Sequence, residues 1–572
     1  MKLIIKQYLA SLKERDELDA LLPDLLSQMG LNVFSRPGKG TSEKGVDVAA
    51  VGGLDGGTEK VYLFSVKSGD LNRKSWDGDP LNALRPSLNQ ILDAYIPTRL
   101  PHEHQGKEIV ICLCFGGDIQ VQVRDEVKGY IQTYTKECLS FEEWNGDKLA
   151  DLILSFFLRE DLLPPDIRPH LRKSLALLDE PEASFRHFSN LVTLLSKIRP
   201  SGDPQHIRAI RQINICLWIL FAWARDAGNV ESAYLSAEHA MLNAWELTKG
   251  HFDNNTKAAK SIHLSFSSIL NVYQLICGHY IEEKIIPHSG KLHGLSSAVR
   301  TSSKIDVNLK LFDVLGRLAT AGIWSYWYAI DENKEKQMVY EQKCHTIAQS
   351  LKLLIGKNPT LLLPFKDEQA IDISLALLFL SLTIENESSM KNWLTMLVER
   401  AIFAYKCHGH YPCILRSYRD LLEHPKPEDD EYRKDVTSGS ILYPTIALWA
   451  ALLKENKLFE EIKAAKENQF KHCNFQLWYP DETSEVHLYV NSDLHGTVLS
   501  DVPVNLSPEE FLEVVRNESE QTKHFENLSA LKHGYWPLIL VACRHYRIPL
   551  PVHFMLRYRE TVQSDESQAG RG

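Results

Sequence analysis

The sequence lacks the features that mark membrane and secreted proteins. No apolar run reaches the roughly 18 to 20 residues that span a bilayer, and the longest, Ile213–Trp223, is typical of a buried helix. The first six residues have too short an apolar core for a secretory signal. The ten cysteines show no paired spacing, which argues against a disulfide framework. We therefore expect a cytoplasmic protein without a membrane anchor.

An excess of positive charge is also lacking. The 572 residues have a net charge of −10, and residues 1–160 hold 19 Lys and Arg against 24 Asp and Glu, a net of −5. Affinity for nucleic acid comes largely from neutralising phosphates. The N-terminal part therefore cannot be a strong, indiscriminate nucleic-acid binder, and any such binding needs a local basic patch.

Two short predicted strands carry the most informative residues. One is the glycine-led Gly45–Val51, which contains Asp47, and the other is Val61–Lys67, which contains Ser65. Because side chains alternate along a strand, Ser65 and Lys67 share one face and can both face Asp47. Phosphodiester hydrolysis uses such groups: a carboxylate that binds a divalent cation, and a lysine that neutralises charge on the phosphate.

The order of predicted elements resembles the restriction-endonuclease-like PD-(D/E)XK superfamily, in particular its Mrr-like branch. The resemblance covers about the first 160 residues, and its four stretches are Leu18–Gly30, Glu43–Asp47, Ser65–Lys67 and Leu139–Ala150. It implies an α/β domain with a central mixed sheet flanked by helices. It also implies cleavage of nucleic acid, with DNA favoured over RNA, with Mg²⁺ or Mn²⁺ as cofactor and with Asp47, Lys67 and Ser65 at the catalytic position.

The sequence departs from the family two residues before the lysine, where an acid usually binds the metal and this chain has Ser65. A hydroxyl is a poor ligand for a hard cation. In one alternative, the missing acid comes from the following helix, as Asp79 or Asp93. In the other, a carboxylate of the opening helix completes the shell through water, and the ligands are then Asp47, the carbonyl of Val66, and Asp19 or Glu17.

Basic residues cluster around the two strands in the sequence. We predict that they supply the local nucleic-acid patch: Arg36, Lys39, Lys44, Arg73, Lys74 and Arg85. Loop lysines and arginines are also often merely solvated.

The chain changes character after Pro164-Pro165, where helical periodicity takes over. We predict a nuclease domain over 1–163, a helical repeat-like or bundle domain over 166–470, an α/β extension over 471–563 and a disordered tail over 564–572. Residues 222–247 resemble one helix-turn-helix unit of a tetratricopeptide-type array. Within the extension, Val486–Val490 and Gly496–Leu499 predict a hairpin, and Ser507 predicts a helix cap.

Three other groups of residues suggest alternative chemistry. Residues Cys407 to Cys413 include four zinc-type ligands, although ligands so close together rarely converge on one ion. Arg419 and His424 match the Arg-x4-His pattern of HEPN-type ribonucleases, a spacing that chance also produces. The run Cys543–Arg547 is basic and aromatic, which favours either a solvated helix face or a nucleic-acid surface.

The interpretation that best unites these patterns is a metal-dependent endonuclease regulated by its helical domain. Its architecture resembles prokaryotic restriction and antiviral defence effectors. The expected partners are DNA and a protein partner or trigger on the helical domain, and a homo-oligomer is compatible with the sequence. The alternative is an inactive nuclease-fold adaptor that binds nucleic acid or a protein.

Overall fold

The structure is a computed structural model of the chain. It describes residues 2–12, 18–36, 44–54, 57–80, 82–156, 167–197, 203–299, 303–331, 334–383, 386–407, 409–423, 429–521 and 523–557. These residues divide into two compact units, Met1–Ile276 and Cys277–Gly572. The predicted boundary at Pro164-Pro165 and the predicted tail lie outside the described residues. Unit 1 contains both the predicted nuclease domain and helices that follow it, so a separate domain over 1–163 stays a prediction.

Unit 1 is built on a five-stranded mixed sheet with the order β1-β2-β3-β4-β5. Strands β1 to β3 pair in antiparallel fashion, whereas β3, β4 and β5 are parallel. The strands are β1 Asn32–Ser35, β2 Val48–Gly52, β3 Lys60–Lys67, β4 Ile109–Phe115 and β5 Leu139–Trp144. The predicted mixed sheet is confirmed, and β2 and β3 lie close to the predicted strands Gly45–Val51 and Val61–Lys67.

Helices flank this sheet and then continue as a helical layer. In unit 1 they are α1 Lys2–Ser11, α2 Asp19–Gln28, α3 Arg73–Asp77, α4 Leu84–Gln90, α5 Ile96–Thr98, α6 Val121–Tyr134, α7 Gly146–Phe156, α8 Ile167–Ala176, α9 Pro181–Lys197, α10 Asp203–Asp226, α11 Glu231–Thr248 and α12 Lys257–Tyr280, whose last turn lies past the division. A π-helical turn, Ile91–Tyr95, joins α4 to α5.

One face of the sheet holds the main apolar core of this unit. Odd-numbered residues of β3 and β4, such as Leu63 and Leu113, pack with Leu88 of α4 and with Val123 and Val127 of α6. On the opposite face Phe64 meets Trp144 edge to face, with ring centroids 4.9 Å apart. Because side chains cover both faces of the sheet, the residues of β3 and β4 are mostly apolar. Burial of each large aliphatic side chain contributes about 1.5–3 kcal/mol.

The predicted helix-turn-helix unit over 222–247 is present as the end of α10, a turn at Gly228 and α11. Gly228 has a φ of +72°, a left-handed conformation that ends α10 at low cost. By length and composition, residues Gln205–Asp226 of α10 could cross a membrane. Of the apolar 18-residue window within this segment, 83% is buried inside the protein. This burial fits the predicted buried helix at Ile213–Trp223, although core helices and membrane helices pass the same test.

Unit 2 is mainly helical and holds a small three-stranded sheet of order β6-β7-β8. The strands are β6 Gly439–Ser440, β7 Asn474–Tyr479 and β8 Thr497–Ser500. Its helices are α13 Ile286–Ser289, α14 Gly294–Ala298, α15 Lys304–Asp331, α16 Lys334–Lys357, α17 Ala370–Ser381, α18 Glu387–Lys406, α19 Tyr418–Leu422, α20 Asp430–Val436, α21 Leu442–Leu452, α22 Asn456–Asn468, α23 Ser484–His487, α24 Pro508–Gln521, α25 His524–Asn527, α26 Ser529–Lys532 and α27 Pro537–Tyr546.

The predicted hairpin is wrong in one of its two strands. β8 does form where Gly496–Leu499 predicted it, but its antiparallel partner is β7, and Val486–Val490 begins inside α23. The amide of Asp481 donates to Ser484 Oγ at 3.0 Å, and that of Thr483 donates to Asp481 Oδ1 at 2.8 Å. These local bonds start a helical turn and override the alternating pattern. The predicted cap at Ser507 is confirmed, since its Oγ accepts from the Glu510 amide at 3.3 Å.

Candidate functional site

Asp47 and Lys67 lie at the same end of the five-stranded sheet, the end where the parallel strands finish. The parallel strands β3, β4 and β5 all end at this edge, and Lys67 is the last residue of β3. Since β2 is antiparallel to β3, its first residue, Val48, is at the same edge, directly after Asp47. The carboxyl edge of parallel strands is where α/β proteins commonly bind ligands.

The regular ladder between β2 and β3 ends at Val48, which pairs with Phe64. Asp47 lies in the bend before the strand, and its amide donates to the carbonyl of Phe64 at 2.9 Å. The Asp47 carboxylate turns onto β3, and its Oδ2 accepts from the Val66 amide at 2.6 Å. A charge-assisted bond of this kind favours the ionised carboxylate.

A glycine two residues earlier permits this approach. Gly45 has a φ of +82°, and a Cβ at this position would lie 2.1 Å from the carbonyl oxygen of Ser87 in α4. Any side chain would push the segment leading to Asp47 away from α4. The glycine that leads the predicted strand is thus required by close packing.

Lys67 is buried, with 6% of its surface exposed, and stands in register with Phe115 of β4. Lysines are seldom this buried in proteins. The amide of Val66, the residue directly before Lys67, donates to the Asp47 carboxylate. The acid therefore contacts the end of the strand that carries the lysine.

Ser65 is completely buried and stands in register with Leu113 of the apolar core. Among the described residues, its hydroxyl has no hydrogen-bond partner. Ser65 and Lys67 follow the predicted alternation, but Ser65 lies in an apolar environment.

The charge of the Asp47 carboxylate also affects a thiol on β4. The thiol of Cys114, which pairs with Val66 in the sheet, is fully buried. Burial raises the pKa of Cys114, and the negative charge of Asp47 raises this pKa further. Cys114 is therefore a neutral neighbour of the site, one that the sequence did not single out because it lies within an apolar run.

Of the four acids considered as further ligands, the three that the structure describes lie on different elements. Asp19 is the first residue of α2 and is buried, with 8% exposure, whereas Asp93 is exposed on the π-helical turn. Asp79 accepts from the amide and the side chain of Asn82, both at 3.1 Å. Glu17 lies outside the described residues.

Within the described part of the chain, no three His, Cys, Asp or Glu side chains come together as a metal centre. Mg²⁺ requires six oxygen ligands, of which proteins usually provide one or two carboxylates. Asp47 is one carboxylate at the sheet edge, and Ser65 does not replace the missing acid. A site of one or two carboxylates with waters would not form such a group, so the magnesium site and its ligands stay predictions.

The described residues of the predicted basic patch lie on several elements. Arg36 is exposed after the end of β1, and Arg73 and Lys74 are exposed on α3, which follows the end of β3. Arg85 pairs with Asp77, with an Nη1–Oδ2 distance of 3.0 Å. Lys44 lies in the turn before Asp47 with a φ of +51°. Lys39 lies outside the described residues.

The groups that suggested zinc or ribonuclease chemistry form no metal centre among the residues that the structure describes. Cys413 is buried and donates to the carbonyl of Phe365 at 3.3 Å, while Cys407 is exposed. His408 and His424 lie outside the described residues. Arg419 pairs with Glu423 on the surface, with an Nε–Oε1 distance of 2.8 Å.

The arginines of the Cys543–Arg547 run form ion pairs with acids of unit 2. Arg544 is buried and pairs with Asp313 at 3.1 Å, and Arg547 pairs with the buried Asp372 at 2.9 Å. Arg547 also lines a cavity of about 840 Å³. The partners are more than 170 residues apart in the chain, so no local spacing could have revealed them.

Comparison with known proteins adds no relative. No protein-family model matches the chain, and no curated protein or solved structure matches it either. The function must therefore be argued from the residues and their geometry.

Proposed function

We propose that the Asp47–Lys67 edge of the sheet hydrolyses phosphodiester bonds in nucleic acid, with DNA as the favoured substrate. The observation that carries the proposal is the 2.6 Å hydrogen bond from the Val66 amide to Asp47 Oδ2, next to the buried Lys67. It supports a preorganised acid and cation at one strand end, which is where phosphoryl-transfer chemistry needs them.

In this proposal the two side chains have different roles. Lys67 neutralises negative charge that develops on the phosphate oxygens. Asp47 orients the attacking water and accepts its proton while the water oxygen bonds to phosphorus and the bond to the leaving sugar oxygen breaks. Mg²⁺ or Mn²⁺ dependence stays a prediction, and no step is assigned to the metal.

A cellular role follows from the architecture alone. A nuclease-like sheet followed by a long helical part fits a restriction or antiviral defence effector that a partner or trigger controls. The cytoplasmic location remains an expectation from the sequence.

The second candidate is a binding module that no longer cuts. The observation in its favour is Ser65, a buried serine at the position where the family usually has a second acid. Such a module would bind nucleic acid or a protein partner. If it binds nucleic acid, both candidates place the ligand at the same end of the sheet, so binding alone does not separate them.

Cleavage does separate them. Labelled duplex DNA, single-stranded DNA and RNA are incubated with the full-length protein in Mg²⁺, Mn²⁺ or EDTA. The nuclease proposal expects products that disappear with Asp47→Asn and persist with Lys128→Ala, an exposed charge on α6. Binding without products from any substrate would support the adaptor instead.

A further inference from the structure

A second feature of unit 1 is a cleft of about 490 Å³ between the edge strand β1 and the helices α10 and α12. Ser27 and Gln28 of α2, Asn32 of β1 and Arg36 lie on one side, and Arg208 and Arg211 of α10 lie on the other. β1 is the outermost strand of the five. The cleft therefore follows an edge of the sheet.

Helical spacing explains why α10 and α12 both contribute to this cleft. Arg208 and Arg211 are three residues apart on α10, and Ser261 and Leu264 are three apart on α12, so each pair lies on one face of its helix. Leu264 is 50% exposed at the cleft. The lining thus combines guanidinium and hydroxyl groups with a small apolar surface.

Arg211 is a buried cation held by neutral groups. It is 7% exposed, and its guanidinium donates to Gln28 Oε1 at 2.9 Å, Ser261 Oγ at 3.2 Å and Ser265 Oγ at 3.3 Å. These bonds fix the plane of the guanidinium at the cleft wall. A guanidinium group has five N–H donors, so two of those on Arg211 remain for phosphate oxygens.

The charges around Arg211 are unbalanced. Arg36 and Arg208 are exposed, and neither forms a hydrogen bond or an ion pair within the described part of the chain. Burial lowers the pKa of Arg211, and Arg36 lowers it further, whereas the nearby Asp24 opposes both effects. Three guanidinium groups therefore share the cleft with one buried carboxylate behind it, and a bound anion would relieve their repulsion.

We infer that this cleft binds a phosphate-bearing ligand of about nucleotide size. Its volume lies within the range of about 300 to 1,000 Å³ that is usual for ligand sites. Its cationic groups are all arginines, and hydroxyl and amide side chains stand beside them for further hydrogen bonds. This function goes beyond cutting, because the cleft would bind phosphate whether or not Asp47 and Lys67 hydrolyse it.

The ligand can be a free nucleotide or one unit of a nucleic-acid strand. Arg36 lies just after Ser35, which pairs with Ala49, and so it is at the Asp47 end of β2. A strand that occupied the cleft would run toward the candidate active site. The shared chemistry is the phosphate group, and the experiment distinguishes its source.

Fluorescence polarisation of a labelled 12-nucleotide single strand, with inorganic phosphate, AMP and ATP as competitors, tests the inference on the full-length protein. The double variant Arg36→Ala with Arg208→Ala removes two exposed guanidinium groups and leaves Arg211 in place. We expect its affinity to fall at least about tenfold, with a shallower salt dependence. Arg172→Ala, an exposed arginine of α8 outside the cleft, is the matched control and should bind like the wild type.

Competition by AMP or ATP that the double variant abolishes assigns the cleft to free nucleotides. Binding of the 12-nucleotide strand alone, equally sensitive to the double variant, assigns it to nucleic acid. Asp47→Asn should retain this binding even where cleavage is lost, so failure of the nuclease proposal leaves the cleft testable. Wild-type affinity in the double variant, or a wild-type protein that binds none of the probes, overturns the inference.

Discussion

The carboxylate of Asp47 accepts a hydrogen bond from the backbone amide of Val66, with 2.6 Å between nitrogen and Oδ2. This contact joins the two strands just beyond the point where the regular ladder between β2 and β3 ends. It holds the acid against the backbone of Val66, the residue directly before the buried Lys67. Asp47 thus has both a structural and a chemical role, and substitutions can separate the two.

Asp47→Ala should destabilise unit 1 by about 1–3 kcal/mol, because the Val66 amide loses its acceptor. Asp47→Asn keeps an acceptor oxygen in the same place and should cost less. Urea unfolding of both variants measures the difference. Equal stability of Asp47→Ala and the wild type would show that the hydrogen bond does not stabilise the fold.

Gly45→Ala should destabilise the protein by more than about 2 kcal/mol, because its Cβ would collide with the Ser87 carbonyl and the residue would keep a positive φ. Gly129→Ala is the matched control. Gly129 lies inside α6, and a Cβ added there would meet no atom of the described residues within 4 Å, so alanine should stabilise by about 0.5–1 kcal/mol. Thermal unfolding should give shifts of opposite sign, and equal shifts would contradict the packing argument.

Ser65→Ala should leave both stability and cleavage close to wild type. The Ser65 hydroxyl is buried without a partner among the described residues, so its removal costs little and can even stabilise. Ser184 provides the contrast, since its buried hydroxyl donates to the Ser174 carbonyl at 2.7 Å, and Ser184→Ala should lose about 1 kcal/mol. A large loss of cleavage in a stable Ser65→Ala protein would instead give this hydroxyl a catalytic role.

His553 should make unit 2 sensitive to acid. Burial lowers the pKa of His553 from 6.5 to about 4, and its ring stacks on Phe525 with centroids 4.2 Å apart. Above pH 6.5 both the folded and unfolded states hold the neutral ring. Between pH 6.5 and 4 the unfolded state binds the proton first, so stability falls as pH falls, by at most about 3 kcal/mol.

Unfolding of the wild type and His553→Gln at pH 7 and pH 5 measures this contribution. The wild type should lose more stability than the variant over this interval. The same loss in both proteins would assign the acid sensitivity to other groups.

The sequence predicted the elements whose pattern is local and regular. β3 and β4 are unbroken apolar runs because helices cover both sheet faces, and the Ser507 cap is a short-range motif. The strand predicted over Val486–Val490 was wrong. Alternation over five residues is a weak signal, and local side-chain hydrogen bonds start the helix α23 there instead.

The site was predictable only in part. The antiparallel placement of β2 brings Asp47 to the Lys67 edge, as the spacing of the two strands indicated. The irregular backbone at Asp47 and the burial of Ser65 beside Leu113 depend on sheet register, which the sequence does not encode locally. The Arg211 cleft joins α2, β1, α10 and α12 across more than 180 residues, so no motif could reveal it.

The most direct test of the central claim is the single-turnover cleavage rate of Lys67→Ala compared with Lys128→Ala, with enzyme in excess over substrate and with saturating Mg²⁺ or Mn²⁺. Both variants lose one lysine charge, but only Lys67 lies at the strand end beside Asp47. We predict a fall of at least about a hundredfold for Lys67→Ala, with substrate binding largely retained, and a wild-type rate for Lys128→Ala. Cleavage by Lys67→Ala at the wild-type rate would contradict the account and place any nuclease chemistry elsewhere in the chain.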